Sequence, residues 1–352
     1  VSSEDDIWVA PGGRSSIWAT VYNMGIFYFK DGIWNTIDQK INPDMDSVVA
    51  FLDIAVDPSD RNHFYAATWG FGLCEFQDET LVNIFNEKNS SLQGFTTPAL
   101  PQVRLGGLDY DRYNNLWISN SNVDSVLCVK RPGKPIKAFY LGPSSTNTEI
   151  GELIVDSWDQ KWILMRYNEV LVFNDNNTID NTNDDQAKKL DGSSGNGNIP
   201  GSRVYSIAED LDGEIWIGSD EGVAVIYSPG NVFSGGDFDA QKILVDEGGY
   251  VQNLLESETV TAIAIDGANR KWFGTDKAGV FLMSDDGTEE ILHFTAENSP
   301  LLSNSITSIS VNQETGEVFF GTALGIISYK GTATEGGITN NEVYAYPDPV
   351  RE

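Results

Sequence analysis

The sequence of 352 residues has few basic residues and almost no histidine. Lys and Arg together number 22 against 52 Asp and Glu, which gives a formal net charge of −30. Binding to nucleic acid, or to an anionic membrane surface, requires a basic face that neutralises phosphates, so this composition argues against both. The two histidines, His63 and His293, are too few for a multi-histidine metal site or a histidine-based triad. We interpret both as structural.

Cysteines and long apolar runs are also scarce. Cys74 and Cys128 are too few for a disulfide framework, and each lies in an apolar run, so we predict buried free thiols. No run approaches the roughly 18–20 apolar residues of a membrane-spanning helix, so no transmembrane segment is predicted. The chain begins Val1-Ser2-Ser3-Glu4, without a basic and apolar leader, so any export signal is expected to have been removed or to lie outside this sequence.

Familiar catalytic motifs are missing as well. The sequence has neither a Gly-x-Ser-x-Gly nucleophile elbow nor a phosphate-binding P-loop. Carboxylates are so abundant that a pair of them is easily found, and no single pair therefore indicates acid–base catalysis. We predict that the protein is not an enzyme.

What the sequence does contain is an internal repeat. The clearest copy runs Val260-Thr-Ala-Ile-Ala-Ile-Asp-Gly, Lys271-Trp-Phe-Gly-Thr and Gly279-Val-Phe-Leu-Met, and similar copies start at Val204 and Ile306. Each copy has an aromatic anchor, and successive anchors lie about 45 to 56 residues apart over the whole chain. The anchors are Trp18, Tyr65, Trp117, Trp162, Trp216, Trp272 and Phe319.

Each repeat has the pattern of four short β-strands. Residues 260–265 alternate small and bulky side chains, Asp266-Gly267 favours a turn, and an aromatic run, a glycine-led run and a variable run follow. No stripe of helical period is long enough for a structural helix. Four antiparallel strands repeated seven times predict an all-β fold, a seven-bladed β-propeller of four-stranded antiparallel blades. The anchor is expected to fill the gap between blades, and the small residue two positions later to let the next blade approach.

The same alignment predicts the domain boundaries. The propeller is expected to span residues 1–341, and residues 342–352 to be either its last outer strand or the start of a truncated C-terminal sorting domain. The segment Asp6-Ile-Trp-Val-Ala-Pro-Gly aligns with the first strand of the repeat, so the chain is expected to begin at the innermost strand of the first blade. The blades are predicted to start near residues 5, 50, 104, 149, 203, 259 and 305.

The repeat resembles a known family. The pattern Val-x-x-Ile-x-x-Asp-x-x-Gly-x-x-Trp-Ile-Gly-Thr/Ser-x-x-Gly-Val, matched closely at 204–223 and 260–280, resembles the two-component regulator propeller repeat of Bacteroidetes proteins. The stretch from Phe294 to Ile309 is similar to that family's linker between blades. The first four blades depart from the pattern, for example at Asn120 and Leu164, where the family prefers Gly, Ser or Thr.

Two branches of this family suggest two functions. In one, the propeller belongs to a surface protein of the type IX secretion system and precedes a sorting domain, whose opening the segment Glu342-Val-Tyr-Ala-Tyr-Pro-Asp-Pro-Val-Arg resembles except at Asp348. This implies an exported, non-catalytic binding or scaffolding propeller at the cell surface. In the other branch, the propeller is the periplasmic ligand sensor of a hybrid two-component kinase, here expected to recognise a carbohydrate.

One acidic segment is a candidate calcium site. Residues 174–185 offer alternating oxygen ligands, and Asp175, Asn177 and Asp180 are the residues we would expect to hold Ca²⁺. The segment lacks the glycine and the closing glutamate of an EF-hand loop, and the alternative is a solvated acidic loop. Calcium is the one cofactor that the sequence leaves open.

Binding is predicted on one face of the propeller. The turns between second and third strands and the connections between blades open on the same face. The connections at 38–50, 86–104, 190–203 and 244–259 are long, and we expect them to be free of core packing and available for recognition. Arginines and aromatics on this face would hold a glycan or a protein partner by bidentate hydrogen bonds and stacking. The candidates are Tyr22, Trp69, Phe71, Arg104, Asn120, Arg166 and Arg203, with packing against neighbouring loops as the alternative for Trp69 and Phe71.

Overall fold

The computed structural model describes residues 2–3, 6–14, 20–21, 25–30, 32–96, 101–247 and 249–334. Within these ranges the chain forms short antiparallel strands, one α-helix of 4 residues, α1 (Asn231–Ser234), and one 3-10 helix, Pro43–Met45. None of the helices found there is long and apolar enough to span a membrane. The prediction of an all-β chain is confirmed.

The strands fall into consecutive sets, numbered here in chain order. Set 1 contains β1 (Ser2–Ser3), β2 (Asp6–Val9), β5 (Ile26–Lys30) and β6 (Ile33–Ile37), with the hairpin of β3 (Gly13–Arg14) and β4 (Thr20–Val21) between β2 and β5. Set 2 contains β7 (Phe51–Asp57), β8 (Asp60–Gly70), β9 (Leu73–Gln77) and β10 (Thr80–Phe85). Set 3 contains β12 (Pro101–Tyr110), β13 (Leu116–Ser121), β14 (Leu127–Lys130) and β15 (Lys137–Phe139), and β11 (Phe95–Thr96) pairs with β12.

The later sets follow the same order. Set 4 contains β16 (Ile150–Val155), β17 (Lys161–Met165), β18 (Glu169–Asn174) and β19 (Gln186–Leu190). Set 5 contains β20 (Val204–Glu209), β21 (Ile215–Ser219), β22 (Gly222–Ile226) and β23 (Gln241–Lys242), followed by a separate hairpin of β24 (Leu244–Glu247) and β25 (Tyr250–Asn253). Set 6 contains β26 (Val260–Ile265), β27 (Lys271–Thr275), β28 (Val280–Met283) and β29 (Glu290–Phe294), and set 7 contains β30 (Ile306–Asn312), β31 (Glu317–Thr322) and β32 (Gly325–Lys330).

Sheets of four antiparallel strands are therefore confirmed, whereas seven separate blades remain a prediction. Sets 2 and 3 are hydrogen-bonded into one sheet where β8 pairs with the start of β12. Set 7 has three strands among the described residues. The segment 342–352 and the anchor Trp18 lie outside the described residues.

The first set differs from the sequence-based expectation. Asp6–Val9 was predicted to be an innermost strand, but it pairs on one side with Ser2–Ser3 and on the other with Ile26–Lys30, so it is the second strand of its set. Trp8 consequently takes the position of an anchor and packs on Phe64 of set 2, with ring centroids 4.4 Å apart. The long excursion between β2 and β5 hid this equivalence in the sequence.

A contact between aspartate and tryptophan explains the repeat pattern. The turn after each innermost strand of sets 3 to 6 begins with an aspartate whose Oδ1 accepts backbone N–H groups of the turn. Its Oδ2 accepts the indole N–H of the anchor six residues later. One carboxylate thus accepts hydrogen bonds both from the backbone N–H groups of the turn and from the N–H group of the buried indole. The four pairs are Asp111–Trp117, Asp156–Trp162, Asp210–Trp216 and Asp266–Trp272.

The core consists of apolar layers between successive sets. Six clusters of buried side chains join set 1 to set 2 and so on up to set 7, and the four tryptophan anchors of sets 3 to 6 are at most 1% exposed. Glycines two positions after the anchors allow neighbouring sets to pack closely against each other, as predicted. A Cβ atom on Gly218 would lie 2.7 Å from the Val260 carbonyl oxygen, and one on Gly274 would lie 2.5 Å from Cγ2 of Ile306.

Polar contacts join the innermost strands of neighbouring sets. In each of sets 2 to 6, one side chain of the innermost strand bonds to the backbone of the next innermost strand. Carboxylates accept N–H groups in the first three contacts, and hydroxyls donate to carbonyls in the last two. The contacts are Asp53 with Leu108, Asp109 with Val155, Glu152 with Ile207, Ser206 with Val260, and Thr261 with Ile306.

The two cysteines are free and buried, as predicted. Burial raises the pKa of the Cys74 and Cys128 thiols to about 12, so neither is a reactive thiolate at neutral pH.

Candidate functional site

A recurring backbone hydrogen bond defines the face on which binding was predicted. The residue that follows the second strand, or in set 2 the last residue but one of that strand, donates its N–H to the carbonyl of the residue just before the innermost strand. We call these paired positions the rim. The donor and acceptor pairs, at 3.0 to 3.2 Å, are Trp69 with Ala50, Arg166 with Glu149, Asp220 with Arg203, Asp276 with Thr259, and Ala323 with Ser305. In set 3 the corresponding positions are Arg104 and Ser121, which lie opposite each other in the pairing of β12 with β13.

Arg104 is held on the rim by aromatic rings and by side-chain amides. Its guanidinium carbon lies 4.5 Å from the ring centroid of Phe95 and 5.4 Å from that of Trp69. The guanidinium also donates to Oε1 of Gln102 at 2.8 Å and to Oδ1 of Asn122 at 3.4 Å. Stacking and hydrogen bonding together fix the orientation of a half-buried cation, as a preorganised site for an anionic or hydroxylated group requires.

Two of the predicted aromatic residues have packing roles. Trp69 is 5% exposed and faces Arg104 across the junction of sets 2 and 3. Phe71 forms a bridge with Val103 and packs against the apolar cluster between sets 1 and 2. The structure thus brings Trp69, Phe71 and Arg104 together, with Trp69 mostly as a support beneath the cation.

Asn120 is a structural residue. Its side chain is fully buried, its Oδ1 accepts the N–H of Gln93 at 2.8 Å, and its Nδ2 donates to the carbonyls of Gln93 and Arg104. These bonds attach the connection before β12 to the end of β13. A buried side chain with both of its polar atoms engaged has no free group to offer a ligand.

The other two arginines occupy equivalent rim positions on sets 4 and 5. Arg166 donates to Oε2 of Glu149 at 2.8 Å, which neutralises it within its own set. Arg203 bonds to the hydroxyl of Tyr205, and its backbone N–H donates to Oδ1 of Asp220. The rim therefore carries cations on three successive sets, but the two on sets 4 and 5 have acidic or phenolic partners. Tyr22 lies outside the described residues.

The long connections contribute to the core, contrary to the prediction. Each of them buries at least one apolar side chain that is at most 3% exposed, so none is free of packing. Single apolar residues within polar segments gave no recognisable signal in the sequence. The buried residues are Met45 and Val48, Leu92, Ile199, and Leu254.

An exposed hairpin is the feature of this face that the sequence did not reveal. The last connection folds into the β24–β25 hairpin, anchored where Leu254 accepts the N–H of Val223. Leu244, Tyr250 and Val251 are 62%, 81% and 67% exposed. The pair Gly248-Gly249 between the short apolar runs 243–245 and 250–251 was the available signal for a hairpin.

The calcium candidates lie on the opposite face and already have partners. Oδ1 of Asp175 is 2.6 Å from Nζ of the fully buried Lys161, and Asp180 receives a bidentate hydrogen bond from Arg131 at 2.8 Å. Asn177 belongs to the same loop. No three Asp, Glu, His or Cys residues converge for a metal ion in the ranges that the structure covers. Calcium binding stays a prediction, which this geometry does not favour.

The two histidines are both engaged. His63 lies between Oδ2 of Asp57 at 3.0 Å and Oε1 of Glu75 at 3.1 Å, and the hydroxyl of Tyr65 donates to the same glutamate at 2.7 Å. His293 stacks on Phe281 with ring centroids 3.8 Å apart, and its Nε2 lies 2.7 Å from the carbonyl oxygen of Ala278. The hydroxyl of Ser59 donates to Oδ1 of Asp57 at 2.6 Å, but among the described contacts no serine, threonine or cysteine side chain bonds to either imidazole.

The innermost carboxylates have unusual acidities. Desolvation raises the pKa of Asp53 to about 6 and that of Asp109 to about 7. Desolvation, and next the charge of Asp53, raises the pKa of Glu152 to about 8, although this side chain remains exposed to solvent. All three accept hydrogen bonds from backbone N–H groups of the next set. They therefore join neighbouring innermost strands and do not form a separate acid–base pair.

Residues 198–221 match the two-component regulator propeller repeat. This confirms the family resemblance inferred from the sequence and places it on set 5, which holds the clearest Asp-x-x-Gly-x-x-Trp pattern. No curated protein sequence matches the chain.

Solved structures include a surface protein of high similarity. PorZ of Porphyromonas gingivalis, described as an essential surface component of the type IX secretion system, is 26% identical with a TM-score of 0.84. The comparison covers 99% of this chain and 48% of PorZ, so the chain spans about half the length of that protein.

Other solved structures share the fold only. The extracellular domain of BT4673 from B. thetaiotaomicron, assigned to a hybrid two-component system, is 16% identical with a TM-score of 0.58, over 93% of this chain and 38% of its own. An inactive variant of virginiamycin B lyase from Staphylococcus aureus with quinupristin is 10% identical with a TM-score of 0.60, over 92% of this chain and 98% of its own.

Proposed function

We propose that this chain is a non-catalytic binding or scaffolding propeller of an exported Bacteroidetes surface protein that resembles PorZ. The observation that carries the proposal is the similarity to PorZ over 99% of the chain at a TM-score of 0.84, against 0.58 for the sensor domain. Because the chain spans about half of PorZ, it corresponds to part of such a protein.

The proposed architecture is a closed ring of seven blades. The succession of six apolar layers, each between one set and the next, supports seven sets packed side by side. The contact of Ser2–Ser3 with Ile306–Asn312 supports closure between the last set and the first.

The proposed binding surface is the rim around Arg104. A guanidinium that is stacked on two rings and oriented by two amides binds carboxylate, phosphate or sugar hydroxyl groups with little loss of side-chain entropy. A surface glycan or an acidic segment of a protein partner has this chemistry. The exposed β24–β25 hairpin offers apolar contact area on the same face.

A periplasmic sensor of a hybrid two-component system is the second candidate. The match of residues 198–221 to the two-component regulator repeat and the shared fold with BT4673 support it. A carbohydrate at the rim would then be the signal. The absence of catalysis is part of both proposals and is supported by the engagement of His63 and His293 in contacts of their own.

Deletion of the gene in its source organism separates the two functions. The surface-protein proposal expects proteins of the type IX pathway to be lost from the cell surface, with rescue by the wild-type gene. Arg104→Ala is expected to rescue less well than Lys134→Ala, an exposed cation of the turn between β14 and β15, at equal expression. Normal secretion together with a lost transcriptional response to a polysaccharide would contradict the proposal and favour the sensor.

A further inference from the structure

A cleft of about 580 Å³ opens on the face opposite the rim, between sets 3 and 4. Its walls are the turns after β12, β14 and β16 and the loop after β18. Polar groups and one exposed ring line it, among them Asp111, Tyr113, Arg131, Asp159, Asp175 and Asn177.

Two buried polar atoms of the cleft lack hydrogen-bond partners among the described residues. Oδ1 of Asp159 is one of them, in a side chain that is 4% exposed, and its nearest cation, Nζ of Lys161, is 3.5 Å away. Nε of Arg131 is the other, because the remaining guanidinium nitrogens both bind Asp180. Leaving a buried acceptor and a buried donor without hydrogen bonds is unfavourable. A ligand group that donates to Oδ1 of Asp159 and accepts from Nε of Arg131 would remove both costs.

The remaining lining limits the chemistry of that group. Four carboxylates surround the cleft against one guanidinium, so an anionic ligand would be repelled. Asp111 has both oxygens satisfied by Trp117 and by its own turn, and Asp175 is held by Lys161. The described part of the chain contains no metal-binding group of three such residues.

We propose that this cleft binds a neutral polyhydroxylated ligand, such as one residue of a saccharide. A hydroxyl group both donates and accepts, so neighbouring hydroxyls satisfy Oδ1 of Asp159 and Nε of Arg131 together. The ring of Tyr113, 57% exposed and with Arg112 stacked 5.2 Å from its centroid, offers an apolar face for the sugar ring. The site is separate from the rim and does not rest on the proposed function.

The test uses the whole chain and defined sugars. Methyl glycosides of glucose, galactose and mannose, and N-acetylglucosamine, are titrated by calorimetry and ligand-observed NMR at up to about 20 mM, a range that detects millimolar dissociation constants. At least one sugar is expected to bind. Asp159→Asn and Tyr113→Ala are each expected to weaken it about tenfold, because the first removes the negative charge and one of the two acceptor oxygens, and the second removes the stacking surface.

The controls separate a binding role from a structural one. Tyr140→Ala removes a tyrosine of similar exposure, 60% against 57%, that follows β15 outside the cleft, and it is expected to leave the affinity unchanged. Tyr113→Ala is expected to leave the fold intact because the ring is exposed, so the test stands even where Asp159→Asn is unstable. Absence of binding for every sugar, equal affinity in all variants, or a sugar-soaked crystal with water alone between Asp159 and Arg131 would overturn the proposal. Calcium binding that Asp159→Asn removes, without sugar binding, would replace it with a metal site.

Discussion

At the scale of single residues, the most repeated contact is that between a turn aspartate and the indole of the anchor six residues later. In set 4, Asp156 is 5% exposed and accepts hydrogen bonds from the backbone and side chain of Gln160 and from the indole of Trp162. One carboxylate thereby closes the turn and satisfies a tryptophan that would otherwise bury an unpaired N–H group.

Replacing this aspartate is expected to be strongly destabilising. Asp156→Ala leaves the three donors without acceptors, and we expect a loss of about 2–4 kcal/mol in the free energy of unfolding. Urea unfolding followed by tryptophan fluorescence measures it, with the exposed Asp124→Ala as the matched control. A loss as small as that of the control would show that the contact does not hold the turn.

The buried lysine of set 4 gives a second prediction at this scale. Lys161 is fully buried, lies 2.6 Å from Asp175, and has its ammonium 4.2 Å from the ring centroid of Trp117. Lys161→Met leaves the carboxylate of Asp175 buried and unpaired, so we expect a loss of about 3–5 kcal/mol.

The double variant checks the cause of that loss. Lys161→Met with Asp175→Asn removes both charges, and urea unfolding is expected to show part of the stability restored. If the double variant is no more stable than the single one, the lysine acts through packing and not through its charge.

The anchor residues were predictable from the sequence, but not all of their partners were. Trp117, Trp162, Trp216 and Trp272 stood out by spacing, and all four are buried between sets. Trp8 was missed because the turn aspartate that marks the later anchors has no counterpart before it, and because the excursion after β2 breaks the spacing. Hydrogen bonds such as those of Asn120 depend on chain segments far apart in sequence and left no pattern.

At the scale of elements, each innermost strand of sets 2 to 6 is tied to the next by one side chain. The side chains that form these hydrogen bonds are carboxylates with raised pKa values in sets 2 to 4 and hydroxyls in sets 5 and 6. The strand period identified which residues alternate, but not that these side chains would bond across to the next set. Likewise, the long connections looked free in the sequence because their buried apolar residues occur singly.

The carboxylates that join neighbouring innermost strands predict a pH dependence of the free energy of unfolding. Asp53, Asp109 and Glu152, with pKa values of about 6, 7 and 8, bind protons more tightly in the folded chain than in the unfolded chain, where carboxyl groups titrate near pH 4. Their contribution is complete below about pH 4 and is lost as the pH rises through these values. Asp57, at about 2, acts with the opposite sign but only at lower pH.

Glu152→Gln tests this dependence, because the amide cannot ionise but keeps an oxygen for the N–H of Ile207. Urea unfolding at about pH 5 and about pH 8.5 is expected to show a smaller loss of stability in the variant than in the wild type. Equal losses in the two proteins would show that Glu152 does not hold a proton in the folded chain at neutral pH.

At the scale of the whole molecule, the apolar layers join each set to the next, but the junction of the last set with the first is different. Among the described residues, no cluster of buried side chains spans sets 7 and 1, and the contact there is between Ser2–Ser3 and Ile306–Asn312. The repeat spacing predicted how many units to expect, but a sequence pattern alone does not show whether the ends meet.

A crystal structure of this chain tests the proposed closed ring most directly. We expect seven separate blades around one axis, with the strand Ser2–Ser3 beside the innermost strand Ile306–Asn312 and Trp8 as the anchor of the first blade. An open arc, a different number of blades, or a first set that packs away from the last would contradict it.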